Sequence, residues 1–123
     1  MVLKGRLRLI YDMIPRCDIL SDIGTDHALL PAYALLNGRC RKAIACDVRK
    51  GPLERAERTM MQYKLQDQME LRLGSGLEPL SPGEADCVVM AGMGGILITG
   101  LLNDSLSIAK KAKSIILQPM VGQ

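Results

Sequence analysis

Aromatic residues are nearly missing from this sequence: among 123 residues there are three tyrosines, no phenylalanine and no tryptophan. A module that binds single-stranded nucleic acid by stacking bases on rings has no platform here. The core has to be aliphatic, with eight methionines available to fill gaps. There is one histidine, His27, and none of the four cysteines (Cys17, Cys40, Cys46, Cys87) forms a C-x-x-C pair, so no metal site is expected. Cys46 and Cys87 lie inside apolar runs, and the thiols read as reduced, mostly buried groups of a cytoplasmic protein. No apolar run reaches the roughly 18–20 residues of a membrane span, and no signal peptide is visible. Neither G-x-G-x-x-G nor G-K-[ST] occurs, which excludes the dinucleotide fingerprint and the Walker loop. A large excess of charge is missing too. The net charge of +3 permits a polyanionic partner without demanding one, and the clusters around Arg6, Arg41 and Lys111 read as solvated faces.

What is present is enough for one domain with a real core, 48% hydrophobic and 24% charged. Leu3, Leu7, Ile10, Tyr11 and Ile14 recur at helical spacing up to Pro15. Strands are expected over residues 18–23, 42–47, 69–73, 86–90 and 114–117, and helices over about 30–37, 52–64, 96–102 and 106–112. Alternating strands and helices predict an α/β fold, a parallel sheet covered on both faces.

Residues 19–31, I-L-S-D-I-G-T-D-H-A-L-L-P, organise the rest. An apolar strand runs into an acidic turn with one glycine, and Pro31 fits only in the first turn of the helix that follows. In open α/β sheets ligands sit outside the carboxyl ends of the strands. Asp22 and Asp26, four residues apart, would repel a phosphate by several kcal/mol in a partly dry site. The turn suits a positive ligand without phosphate, and S-adenosylmethionine, with its ammonium, sulfonium and ribose hydroxyls, is such a molecule. The alternative is an ordinary strand-to-helix turn in which Asp26 caps the helix.

Asp47 ends the second strand, 25 residues after Asp22, where an acid can accept hydrogen bonds from two ribose hydroxyls. The alternative is a cap for the next helix. The third strand ends in Gly74-Ser75-Gly76, a loop that can let adenine lie against backbone or be plain loop. Ala91-Gly92-Met93-Gly94-Gly95 brings the backbone close to something, either a ligand or a tightly packed helix. If the fourth strand pairs with the first, this loop and the acidic turn form one cleft, and Met93 can face a flat base.

The segments D-I-G-T-D-H-A-L-L-P, A-C-D-V-R-K-G-P, R-L-G-S-G-L-E, A-G-M-G-G-I-L-I and I-L-Q-P, in this order, resemble successive motifs of the bacterial tRNA adenine-22 N1-methyltransferases. The resemblance implies a class I, Rossmann-like methyltransferase sheet, strand order 3-2-1-4-5, and S-adenosyl-L-methionine as cofactor. It implies that Asp22 and Gly24 hold the methionine part and Asp47 the ribose, with Thr25, Val48, Gly74, Ser75, Gly76, Ala91 and Gly92 as further cofactor-binding residues. Asp26 becomes the expected catalytic carboxylate; His27 beside it either tunes and orients that carboxylate or only satisfies a local hydrogen bond. Met93, Gly94, Gly95, Gln118 and Pro119 are expected on the side of the tRNA acceptor. Adenine N1 carries a lone pair, so catalysis is mostly alignment, plus a carboxylate to stabilise the ring as it becomes cationic.

Members of that family continue beyond the Q-P motif into further strands and a helical region associated with tRNA binding. This chain, stopping at Gln123, therefore reads as a fragment or a shortened paralogue, a single methyltransferase domain over residues 1–123. The fifth strand, read as buried on both faces, is expected to leave an edge open to self-association. Two rival readings are a small-molecule methyltransferase on the same core and a cofactor-binding module without activity.

Overall fold

The computed structural model describes residues 1–120. Helix α1 (Gly5–Met13) leads into β1 (Ile19–Ile23), α2 (Leu29–Leu36), β2 (Lys42–Asp47) and α3 (Lys50–Gln62). Then come β3 (Met69–Leu73), β4 (Cys87–Gly94), α4 (Gly95–Asp104), α5 (Leu106–Lys111) and β5 (Ser114–Met120). Five strands form one sheet in the order β3-β2-β1-β4-β5, every pairing parallel, as expected for the Rossmann-like arrangement.

The central strands are apolar on both faces because both are covered. Leu20, Ala43, Ala45, Cys87 and Val89 point into a core shared with α1, α2 and α3. Their neighbours Ile23, Ile44, Cys46, Val88 and Met90 point into a second core closed by α4, α5 and the segment around Leu77 and Leu80. Cys40, Cys46 and Cys87 are buried free thiols, and Cys17 is half-buried. No helix among the described residues is long and apolar enough to cross a membrane.

Two expectations change. The A-G-M-G stretch is not a loop: β4 runs through it to Gly94, pairing with β5 as far as Gly94 beside Met120, with a register shift between Ala91 and Met93. Gly92, at φ +73°, sits at that bulge, a backbone position that disfavours side chains. Nor is β5 buried on both faces. Only Ile116 is buried, while Leu117 and Met120 are about two-fifths exposed. An apolar sequence makes a strand, but coverage depends on neighbours, and β5 pairs on one side only among the described residues.

The long segment between β3 and β4 is held by charge. Arg72 donates to Glu84 through Nη1 at 2.7 Å and Nη2 at 2.6 Å and to the Pro79 carbonyl at 2.9 Å. Glu84 also accepts from the Ser81 amide at 3.0 Å. Arg72 holds the Glu84 carboxyl down at about 2. A carboxylate whose folded pKa lies below its ordinary value of 4.5 stabilises the fold above that value and loses the contribution as pH falls towards 2. Glu84→Gln should therefore cost about 1–3 kcal/mol at neutral pH and progressively less below pH 4.5, read by denaturant melts across that range. A pH-independent loss would assign the effect to packing.

Candidate active site

The carboxyl ends of β1, β2, β3 and β4 lie along one edge of the sheet, with the bulge in β4 beside them. The acidic turn is fastened to β2 by its own backbone: the amides of Gly24 and Thr25 both donate to the Cys46 carbonyl, at 2.9 and 3.0 Å. That tie needs the chain to reverse at Gly24, whose φ is +75°. Asp26 and Ala28 follow at φ +54° and +58°, a left-handed conformation that side-chain-bearing residues adopt at a cost of about 1–2 kcal/mol each. The turn is over-determined by its neighbours rather than by local preference.

Two hollows meet at Gly24. One, about 120 Å³, is lined by Asp22, Gly24, Thr25, Asp26, His27 and Ala91 together with Arg6, Leu7, Leu29 and Leu30. The other, about 280 Å³ and more apolar, is lined by Gly24, Asp47, Val48, Gly74, Ser75, Gly76 and Met93 with Ile23, Arg49, Leu97 and Leu101. Twelve residues expected at the site thus gather around one reversed turn. Gly92 lies behind the first hollow, against the Arg6 guanidinium. Gly94 and Gly95 line neither hollow and instead start α4. Gln118 and Pro119 pair with Ala91 and Met93 on β5, beside the cleft rather than in it, and the Gln118 Oε1 is buried with no hydrogen-bond partner among the described residues. Met93, expected towards the acceptor, stands in the apolar hollow with Asp47.

The carboxylates differ sharply in surroundings. Asp22 is 6% exposed and accepts from the Thr25 hydroxyl at 2.9 Å. Burial pushes its carboxyl up to about 7, opposed by the Thr25 hydrogen bond and reinforced by the negative charge of Asp47. Asp47 is also buried; its Oδ1 accepts from the Arg49 amide at 3.0 Å, while Oδ2 has no partner among the described residues. A buried carboxylate oxygen left unpaired is costly, and in a residue that lines a cleft it leaves an acceptor free for a donor. Asp26 is over half exposed, accepts from Arg55 Nη2 at 3.0 Å, and lies 3.9 Å from His27 Nε2.

Four contributors went unseen in the sequence. Leu97 and Leu101 wall the apolar hollow from one face of α4, and their i, i+4 spacing was the available signal. From the sequence, Arg6 is expected on a solvated face, and no local pattern sets Arg55 apart from the other cations of α3. Arg6 is carried to the cleft because α1 docks on α2 through Tyr11, whose ring meets Tyr33 edge-on at 4.7 Å and Arg39 at 4.4 Å. Among the described residues no cluster of three or more histidine, cysteine or acidic side chains could hold a metal ion.

A family described as a methyltransferase domain matches residues 3–123. The tRNA (adenine(22)-N(1))-methyltransferase of Bacillus subtilis (strain 168) is 39% identical over 119 residues, 97% of this chain and 50% of that protein. Streptococcus pneumoniae Sp1610, described as a candidate tRNA (m1A22) methyltransferase and solved with S-adenosyl-L-methionine, is 32% identical with a TM-score of 0.91, covering 96% of this chain and 56% of that one. M. capricolum TrmK, solved with the cofactor product S-adenosyl-homocysteine, is 30% identical with a TM-score of 0.83, covering 95% and 52%. The chain spans about half the length of the relatives it matches. With nearly its whole length matched and its acidic strand ends gathered around one cleft, the chain belongs to the methyltransferase domain family.

Proposed function

We propose that this chain binds S-adenosylmethionine and serves as the cofactor-holding part of a tRNA adenine-N1 methyltransferase. The observation that carries the proposal is Asp47, which lines an apolar cleft continuing into the Asp22 hollow and whose buried Oδ2 has no hydrogen-bond partner among the described residues. The cleft offers an acceptor for ribose hydroxyls at Asp47 and a flat apolar wall at Met93, Leu97 and Leu101 for adenine. It offers Asp22 for an ammonium and Arg6 for a carboxylate at the methionine end. The names of the relatives support tRNA as the acceptor and adenine N1 as the atom methylated.

When bound, the cofactor supplies a methyl group on a positively charged sulfur, an electrophile that the N1 lone pair can attack without prior activation. The chain's task is then alignment and charge. Asp26, at the mouth of the Asp22 hollow, faces an adenine ring that becomes cationic on methylation, and its carboxylate stabilises that charge or takes a proton from the exocyclic amine. His27 borders the same mouth.

Calorimetric titration tests the cofactor half. Asp47→Ala should weaken S-adenosylmethionine binding by about 1.5–3 kcal/mol, roughly 10–150-fold. Unchanged affinity would remove Asp47 from the ribose site. Mass spectrometry of nucleosides from treated tRNA tests the acceptor: N1-methyladenosine is expected. Methyl transfer to small molecules but not to tRNA would overturn that half of the proposal.

A further inference from the structure

We infer that Arg55 is a positioning residue for Asp26, an assignment that rests on the role proposed for that carboxylate. Asp26 stands on an exposed turn in a left-handed conformation, and nothing in its own segment fixes the side chain beyond the His27 ring at 3.9 Å. Arg55 comes from the first half of α3, 29 residues further along the chain, and its Nη2 donates to Asp26 Oδ1 at 3.0 Å. Its Nη1 passes beside the first turn of the helix, 3.7 Å from where a Cβ on Gly51 would stand.

An ordinary surface ion pair would be of little consequence. This one differs in how the arginine is held. The Arg55 side chain is 37% exposed, and its Nε is buried with no hydrogen-bond partner among the described residues. With Nε out of solvent and Nη1 beside Gly51, the outer edge of the guanidinium is the part that reaches Asp26. The consequence is geometric. Oδ1 is occupied by Arg55, and Oδ2, the oxygen nearer His27, is the one left for an acceptor at the mouth of the Asp22 hollow. A carboxylate useful for alignment has to be held in one orientation before the base arrives, and Arg55 supplies that restraint.

The test is a double-mutant cycle with Arg55→Met, Asp26→Asn and the pair, with Arg55→Lys as the conservative variant. Three quantities are read: steady-state methyl transfer to tRNA, S-adenosylmethionine affinity, and the ring resonances of His27, which is the only histidine and therefore unambiguous. Arg55→Met should lower kcat about 10–100-fold with KM and cofactor affinity within about twofold. Arg55→Lys should recover part of that loss. Added to Asp26→Asn, Arg55→Met should cost nothing further. The His27 resonances should move in Arg55→Met and stay put when the same change is made on Asp26→Asn. Additive losses in kcat, or His27 resonances that respond identically in both backgrounds, would overturn the assignment. A parent protein that binds S-adenosylmethionine but methylates no tRNA would overturn the proposed reaction instead, and the His27 cycle then decides the Arg55–Asp26 coupling by itself.

Discussion

Replacing Asp26 by asparagine should lower methyl transfer to tRNA by roughly 10²–10⁴-fold while S-adenosylmethionine affinity stays within about twofold. The two effects separate because Asp26 sits at the mouth of its hollow, over half exposed, whereas Asp22 and Asp47 line the interior. Asparagine is the informative substitution. It is one of the few residues that tolerates the left-handed φ of +54° found at this position, so the turn is kept while the charge is removed. What is lost is the negative charge opposite a ring that becomes cationic, an interaction stronger in the transition state than before it. Thermal stability should be followed in parallel, since Arg55 is deprived of its carboxylate partner at 3.0 Å. Equal losses in turnover and cofactor affinity would move Asp26 into the cofactor site. Full turnover would reduce it to a turn residue.

Asp22 should make cofactor affinity rise with pH through about 7 and level off above it. Burial raises this carboxyl to about 7 in the free protein, so near neutrality a substantial fraction is protonated. An ammonium binds the ionised form. Affinity therefore falls below pH 7, and near pH 6.5 binding should release about three-quarters of a proton, measurable by calorimetry in buffers of different ionisation enthalpy. Stability runs the other way. A carboxyl whose folded pKa lies above its ordinary 3.8 binds more protons folded than unfolded between those values, so the fold is destabilised progressively as pH rises from about 4 to 7. The full cost is on the order of 4 kcal/mol above pH 7. Asp22→Asn should remove that cost: the variant melts higher than its parent at pH 8, by on the order of 10–20 °C, shows little advantage at pH 4, and has lost most of its affinity for S-adenosylmethionine. An affinity that is flat between pH 6 and 8 would show that Asp22 does not hold the ammonium.

The elements themselves were legible because their signals are local. The alternation of Met69, Leu71 and Leu73 with charged residues made β3, the apolar run ending at Asp47 made β2, and Pro31 and Pro52 set where α2 and α3 begin, as the third residue of each. Strand ends carrying Asp22, Asp47 and Gly74 were identifiable for the same reason: an acid or a glycine after an apolar strand is a feature of a few consecutive residues. Their convergence followed once the strand order was known, since parallel neighbours bring all carboxyl ends to one edge.

Other features depend on distant partners, and no local pattern encodes them. The A-G-M-G stretch became strand because β5 lies beside it and supplies the hydrogen bonds, with Gly92 absorbing the extra residue. The apolar run of β5 carried no information about whether anything covers Leu117. Arg6 and Arg55 look like any other exposed cation on an amphipathic helix. Their importance arises from docking: α1 against Tyr33 brings Arg6 over Gly92, and α3 against the sheet brings Arg55 to Asp26. Periodicity and turn chemistry are settled by neighbours a few residues away. Which buried oxygen is left without a donor, and which arginine is held beside a carboxylate 29 residues away, is settled only when the helices pack.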